Sequence, residues 1–241
     1  MKLSREFAIK IQFLLDECLP PLIRDAKWFI RLPFTLFYRD RADIFLDFKR
    51  RGFDMSEEEF ADIYRRIAPV LMERETDLTE HGIRAILSAL SGDSILEVGC
   101  GKALLAKKMA VFKHVTACDI IIDSSVRDRE RDIRFVEANI LKLPFEDRSF
   151  DTVVCTHTLE HIPNIGKAIQ ELRRVTKCRL IVVVPKQRPY WYTFDLHLHF
   201  FPYEYSLRSV LGPDMAHATC TDIGGDWLYV EDRPPTTPSD V

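Results

Sequence analysis

The chain has 241 residues, 46% of them hydrophobic, and a formal net charge of -3. That suffices for one sizeable core plus a small appended module, and excludes a protein whose overall charge would hold nucleic acid. Its six cysteines (18, 100, 118, 155, 178 and 220) form no C-x-x-C pair. Cys100, Cys118 and Cys155 lie in or beside apolar strand-like runs and read as small buried hydrophobes in a reducing, cytoplasmic setting, not as disulfides or zinc ligands.

The first segment carries Phe7, Ile11, Leu14 and Leu15 at helical spacing and ends at Pro20-Pro21. Lys10, Asp16 and Glu17 interrupt it, so no secretory signal is expected, and no run reaches the roughly 20 apolar residues of a membrane span. Residues 27–41, "KWFIRLPFTLFYRDR", mix aromatics with Lys and Arg, and residues 1–53 are modestly basic. Two readings stand: an acceptor lid or a surface meeting a membrane or lipid-linked substrate, against a cap whose aromatics pack on the main core. Phe34, Phe37, Ile44, Phe45 and Phe48 continue the helical pattern among charges. Ser56 and Glu59 are spaced as a capping box, with Met55 and Phe60 at the staple positions, which predicts a helix start at Ser56. Another helix is expected from about Thr79 to Leu90, stopped by Ser91-Gly92-Asp93. Residues 1–80 are thus expected to form a helical N-terminal extension or lid.

From residue 94 the grammar changes. Short β-rich runs, "SILEVG", "HVTACDI", "IRFVEAN", "FDTVVCT" and "RLIVVVP", alternate with segments suited to helices or turns near 102–112, 123–130 and 160–176. This predicts an α/β fold, a doubly wound and mostly parallel sheet, with residues 81–232 as its domain. A helix near 203–211, an edge strand "DWLYV" and a disordered tail over 233–241 complete the expectation.

"LEVGCGKALLA", residues 96–106, runs a strand into two glycines and then a helix. Such a turn lets a ligand approach the backbone. Asp119 closes the next strand about twenty residues on, where an acid binds ribose hydroxyls. The dinucleotide fingerprint needs glycine where Leu104 stands, and the phosphate loop needs Ser or Thr where Ala103 follows Gly101-Lys102. Neither phosphate motif fits. Glu97, two residues before the first glycine, suits a ligand with a positive end.

These residues resemble class I S-adenosylmethionine (SAM) dependent methyltransferases, in particular the small-molecule group related to the ubiquinone and menaquinone methyltransferases. "LEVGCGKALLA" is similar to that family's E-x-G-x-G-x-G motif, "ACDI" to its acidic second strand, and "VEANILKLPFEDRSFDTVVCTHTLEHIPN" to its most specific region. "HLHFFPYEYSL" is similar to the part after the fifth strand. The likeness covers about residues 80–230 and implies a Rossmann-like sheet with SAM as cofactor. It further implies Glu97 near the methionine ammonium, and Gly99 and Gly101 against the ligand. Asp119 would meet both ribose hydroxyls and Ile120 the adenine, with Asn139 at the adenine amino group and Ile140 beside the ring. Thr156 and His157 would line the methionine side. Ala103 departs from the family's third glycine, and Asn139 from its usual Asp.

The resemblance points to methyl transfer to a small-molecule acceptor, at oxygen, with His161 or His197 as general base. A sugar, polyketide-like or quinone-like acceptor would suit the aromatics Tyr190, Trp191, Tyr192, Phe194, Phe200 and Phe201. C- or N-methylation and an inactive SAM-binding partner are the alternatives. No metal is expected: His157, His161, His197 and His199 could converge, but no thiolate or paired carboxylate joins them at a recognisable spacing. Glu160 reads as a helix-start charge. No nucleic-acid partner is expected, since "THTLEH" replaces an Asn- or Asp-Pro-Pro-aromatic motif and no dense basic patch is present.

Overall fold

A computed structural model describes residues 14, 18–71, 76–192, 195–212 and 216–233. The segment around Phe7 and Ile11, Phe194 and the tail beyond residue 233 lie outside the described residues. In chain order the helices are α1 (Pro21–Arg24), α2 (Lys27–Tyr38), α3 (Ala42–Arg51), α4 (Glu57–Leu71), α5 (Glu80–Ala89), α6 (Leu104–Ala110), α7 (Ser124–Arg129), α8 (Ile165–Val175) and α9 (Glu204–Leu211). The strands are β1 (Ser94–Val98), β2 (His114–Asp119), β3 (Ile133–Glu137), β4 (Phe150–Thr156), β5 (Thr176–Pro185), β6 (Ala218–Asp222) and β7 (Asp226–Asp232). They form one seven-stranded sheet in the order β3-β2-β1-β4-β5-β7-β6. The first five are parallel; β7 runs antiparallel to both β5 and β6.

Strand periodicity explains why β5 is apolar throughout. Leu180, Val182 and Val184 point into one core with α8 and α9, whereas Ile181 and Val183 point into the other with α5 and α6. All five are fully buried, each worth roughly 1.5–3 kcal/mol of transfer free energy. The S-F-D motif has a structural purpose. Asp151 accepts hydrogen bonds from the Asp93 and Ser94 amides, at 3.0 and 3.1 Å, and fixes the entry to β1. Those bonds hold its carboxyl at about 2. Arg174 on α8 fastens the preceding loop, donating to the carbonyls of Leu143 and Phe145.

Two expectations need correction. "DWLYV" is not an edge strand: β7 lies inside the sheet, and the edge is β6. "ATCTD" lacks the apolar run that would announce a strand, because its one covered side is its pairing with β7. Glu160 is not a helix-start charge: α8 begins at Ile165 with Asn164 as cap, and Glu160 is wholly buried in a short 3-10 turn, 159–161.

The N-terminal helices follow the sequence closely. Ser56 Oγ accepts from the Glu59 amide at 3.2 Å and Glu59 returns a bond to the Ser56 amide at 3.0 Å, so α4 starts at the predicted box. Ile30, Phe34, Phe45, Leu46, Phe48 and Ile67 make a third core, completed by Tyr192, Leu196 and Leu198 from the loop after β5. These helices are thereby docked on that loop, at the carboxyl end of the sheet.

Candidate active site

The strand order reverses between β1 and β4, and in an open parallel sheet this switch point is where ligands bind. The glycine turn sits there. Gly99 and Cys100 donate to the Cys118 carbonyl, tying the turn to β2. Gly99, Gly101 and Ala103 all have positive φ (76°, 50° and 58°). Their glycine needs differ. A methyl on Gly99 would lie 2.0 Å from Thr158 Oγ1, whereas one on Gly101 would meet nothing within 4 Å. Gly101 therefore borders open space, and Ala103 carries the left-handed strain where the family has glycine.

Two acids face this turn. Glu97 is buried at the end of β1. One of its oxygens accepts from the Ala106 amide; Oε2 has no hydrogen-bond partner. Burial, reinforced by the charge of Asp119, pushes its pKa up to about 8. Asp119 Oδ2 accepts from the Gly101 amide at 2.8 Å. Burial raises its pKa too, against the pull of the backbone amides of Gly101, Ile121 and Ile120. Two desolvated acids side by side call for a cationic ligand.

Ile120 is half-buried beside Asp119. Asn139 binds the Leu141 amide through its carbonyl oxygen, at 2.9 Å, and donates to Glu57 on α4 at 2.7 Å. Ile140 is buried in the α8-side core, so its side chain is largely committed there. Thr156 is buried at the end of β4. His157 follows it at φ 48°, its amide bonded to the Val183 carbonyl. Its ring lies between two fully buried carboxylates, 3.6 Å from Glu160 Oε1 and 3.6 Å from Asp226 Oδ2. Burial alone would lower its pKa, but Asp226 and Glu160 outweigh this and push it up to about 10.

His161 and His197 meet, with ring centroids 4.7 Å apart, although 36 positions separate them. The Glu160 carbonyl accepts from the Leu198 and His199 amides and so clamps the 196–199 loop onto the 3-10 turn. His199 closes the same clamp through the Ile162 carbonyl and stays a structural histidine. His161 Nδ1 contacts the Leu196 carbonyl at 3.0 Å, and His197 Nδ1 contacts Gln187 Oε1 at 2.6 Å. Tyr64 from α4 stands edge-on to His161, its buried hydroxyl without a hydrogen bond.

Of the aromatics expected around an acceptor, Tyr192 and Phe201 are core residues, while Trp191 is exposed. Four contributors were not singled out in the sequence: Asp226, Gln187, Tyr64 and Glu57. None sits in a recognisable local motif; each arrives through tertiary packing.

Residues 96–183 match the family described as "Methyltransferase domain". The 2-phytyl-1,4-naphtoquinone methyltransferase of Nostoc punctiforme is 30% identical over 138 residues, covering 49% of this chain and 60% of the relative. The ubiquinone biosynthesis O-methyltransferase of Paracidovorax citrulli is 34% identical over 100 residues, covering 38% of this chain and 42% of the relative. The chain thus spans about half the length of the curated relatives it matches. Among solved structures, the [4+2]-cyclase SpnF superimposes with a TM-score of 0.59 at 15% identity, over 75% of this chain and 97% of that one. This shows the shared fold. The methyltransferase-domain match thus covers the segment that holds the glycine turn, Asp119 and the turn after β4.

Proposed function

We propose that the protein transfers a methyl group from SAM to an oxygen of a small-molecule acceptor, with His161 or His197 as general base. The observation that carries this reading is Glu97: a fully desolvated carboxylate with one oxygen unbonded, beside a turn that opens on empty space at Gly101. Glu97 would hold the ammonium of the methionine end, Asp119 the ribose hydroxyls, and Ile120 and Asn139 the adenine. When bound, SAM supplies an electrophilic methyl that an in-line nucleophile displaces from sulfur. The chain's task is then alignment and exclusion of water, which can contribute roughly 7–11 kcal/mol. A base adds on the order of 10²–10⁴-fold. His161 and His197 each hold Nδ1 against an oxygen acceptor, so Nε2 is the atom that would take the hydroxyl proton.

The N-terminal helices fit an acceptor lid, because they dock on the loop that carries His197. Their outer face supports contact with a membrane or a lipid-linked acceptor. Trp28, Leu32 and Leu36 recur every fourth residue of α2 and are 76–77% exposed, flanked by Lys27 and Arg31. No helix among the described residues is long and apolar enough to cross a membrane. Quinone-like, sugar or polyketide-like acceptors all suit this arrangement.

The test uses SAM labelled on its methyl group, incubated with the protein and a host-cell extract that is then fractionated. Label in a small-molecule or lipid fraction, absent with Asp119→Ala, supports the reading. Label in no fraction, with SAM still bound by calorimetry, replaces it with a SAM-binding partner protein.

A further inference from the structure

We propose that Glu160, His161 and His197 form a binding site for one divalent transition-metal ion at the acceptor end of the pocket. Metal binding of this kind would stand whether or not the chain transfers methyl groups.

The argument begins with hydrogen bonds. A carbonyl oxygen only accepts, so His161 Nδ1 at the Leu196 carbonyl carries the proton and its Nε2 carries the lone pair. Gln187 donates its amide to the Tyr190 hydroxyl at 2.9 Å, which turns its oxygen toward His197 Nδ1. His197 is thereby held in the same tautomer, with its Nε2 4.0 Å from Glu160 Oε1. Glu160 is wholly buried, and neither of its oxygens makes a hydrogen bond. His157 Nδ1, at 3.6 Å from Oε1, is beyond hydrogen-bond length. Two imidazole lone pairs and a carboxylate converge, with one ligand atom from each lying within 4.8 Å of the others. The His157 ring flanks Oε1 at ion-pair distance, yet neither oxygen of this desolvated carboxylate is hydrogen-bonded. A metal ion on the side of His161 and His197 would supply the missing contact.

The donor set selects the class of ion. Two imidazoles and one carboxylate suit Zn²⁺, Co²⁺ or Fe²⁺ better than the all-oxygen preference of Mg²⁺ or Ca²⁺. The supporting bonds are of the kind metal-binding histidines use: each ring donates its other N–H to an oxygen that fixes tautomer and orientation. The frame is also clamped, since the Glu160 carbonyl bonds both Leu198 and His199. Bonds of about 2.0–2.2 Å place ligand atoms roughly 3–3.5 Å apart, so side-chain rotations of about 1 Å complete the site.

The experiment titrates tag-free, metal-stripped protein with Zn²⁺ by calorimetry and with Co²⁺ by visible absorption. The expected result is one ion per chain. His161→Gln and His197→Gln should each weaken binding at least tenfold, whereas Asp119→Ala should keep it. A second readout needs no variant: in the wild-type protein, Co²⁺ should shift the ring protons of His161 and His197 before those of any other histidine. Wild-type protein that binds neither ion, variants that bind as tightly as wild type, or first shifts at other histidines would each overturn the proposal.

Discussion

The two ends of the proposed site are built differently. The end proposed for the cofactor is made of backbone: three alternate positive-φ positions in the turn after β1, an aspartate capping that turn, and one buried glutamate, all from residues 97–119. The end proposed for the acceptor is made of side chains. Tyr64, His157, Glu160, His161, Gln187, His197 and Asp226 reach it from α4, the turn after β4, the loop after β5, and β7. A backbone cradle binds any ligand of the right shape and charge, so it can stay the same while acceptors change. A side-chain cluster held by long-range contacts is where specificity can vary.

The largest effect expected from this contrast is a split in kinetics. His161→Ala and His197→Ala should lower kcat by about 10²–10⁴-fold while SAM affinity stays within roughly threefold. Equal losses in both would mean that the two ends are one cooperative unit. Next comes pH. Glu97 must be ionised to hold an ammonium, and its pKa stands at about 8 without one. SAM affinity should therefore fall as pH drops below 8, approaching tenfold per pH unit, because one proton must leave on binding. Above pH 8 the ligand's own amine loses its proton and affinity falls again. Glu97→Gln should bind weakly and lose the acid limb; calorimetry from pH 6 to 9 reads both.

Smaller effects separate the glycines. Gly99→Ala drives a methyl into Thr158 in a strained conformation and should cost roughly 2–3 kcal/mol by denaturant unfolding. Gly101→Ala should cost only the conformational strain, about 1–2 kcal/mol, yet weaken SAM more than its stability loss implies, because its methyl enters the ligand's space. The smallest change is Ala103→Gly. It relieves a left-handed alanine and should raise stability by up to about 1 kcal/mol.

The same contrast explains what could be read in advance. The strand–turn–helix, Asp119 and the five parallel strands were legible because their signals are local: alternation, glycine spacing and an acid at a strand end. The capping box at Ser56 was legible for the same reason. Glu160 was misread because nothing in "LEHI" shows that its carboxylate points inward. Burial there depends on the 196–199 loop lying over it. Tyr192 and Phe201 were assigned to the acceptor because composition marks aromatics but not the face they occupy; both went to cores. β6 escaped notice because a short edge strand needs no apolar run once β7 covers one side.

The most direct test of the central claim is calorimetry of wild-type protein with SAM and, separately, with NADH. One SAM per chain, no NADH, and a loss of at least a hundredfold in Asp119→Ala are expected, since Asp119 both holds the turn at Gly101 and would meet the ribose. Binding of NADH without SAM, or SAM affinity indifferent to Asp119, would contradict the account.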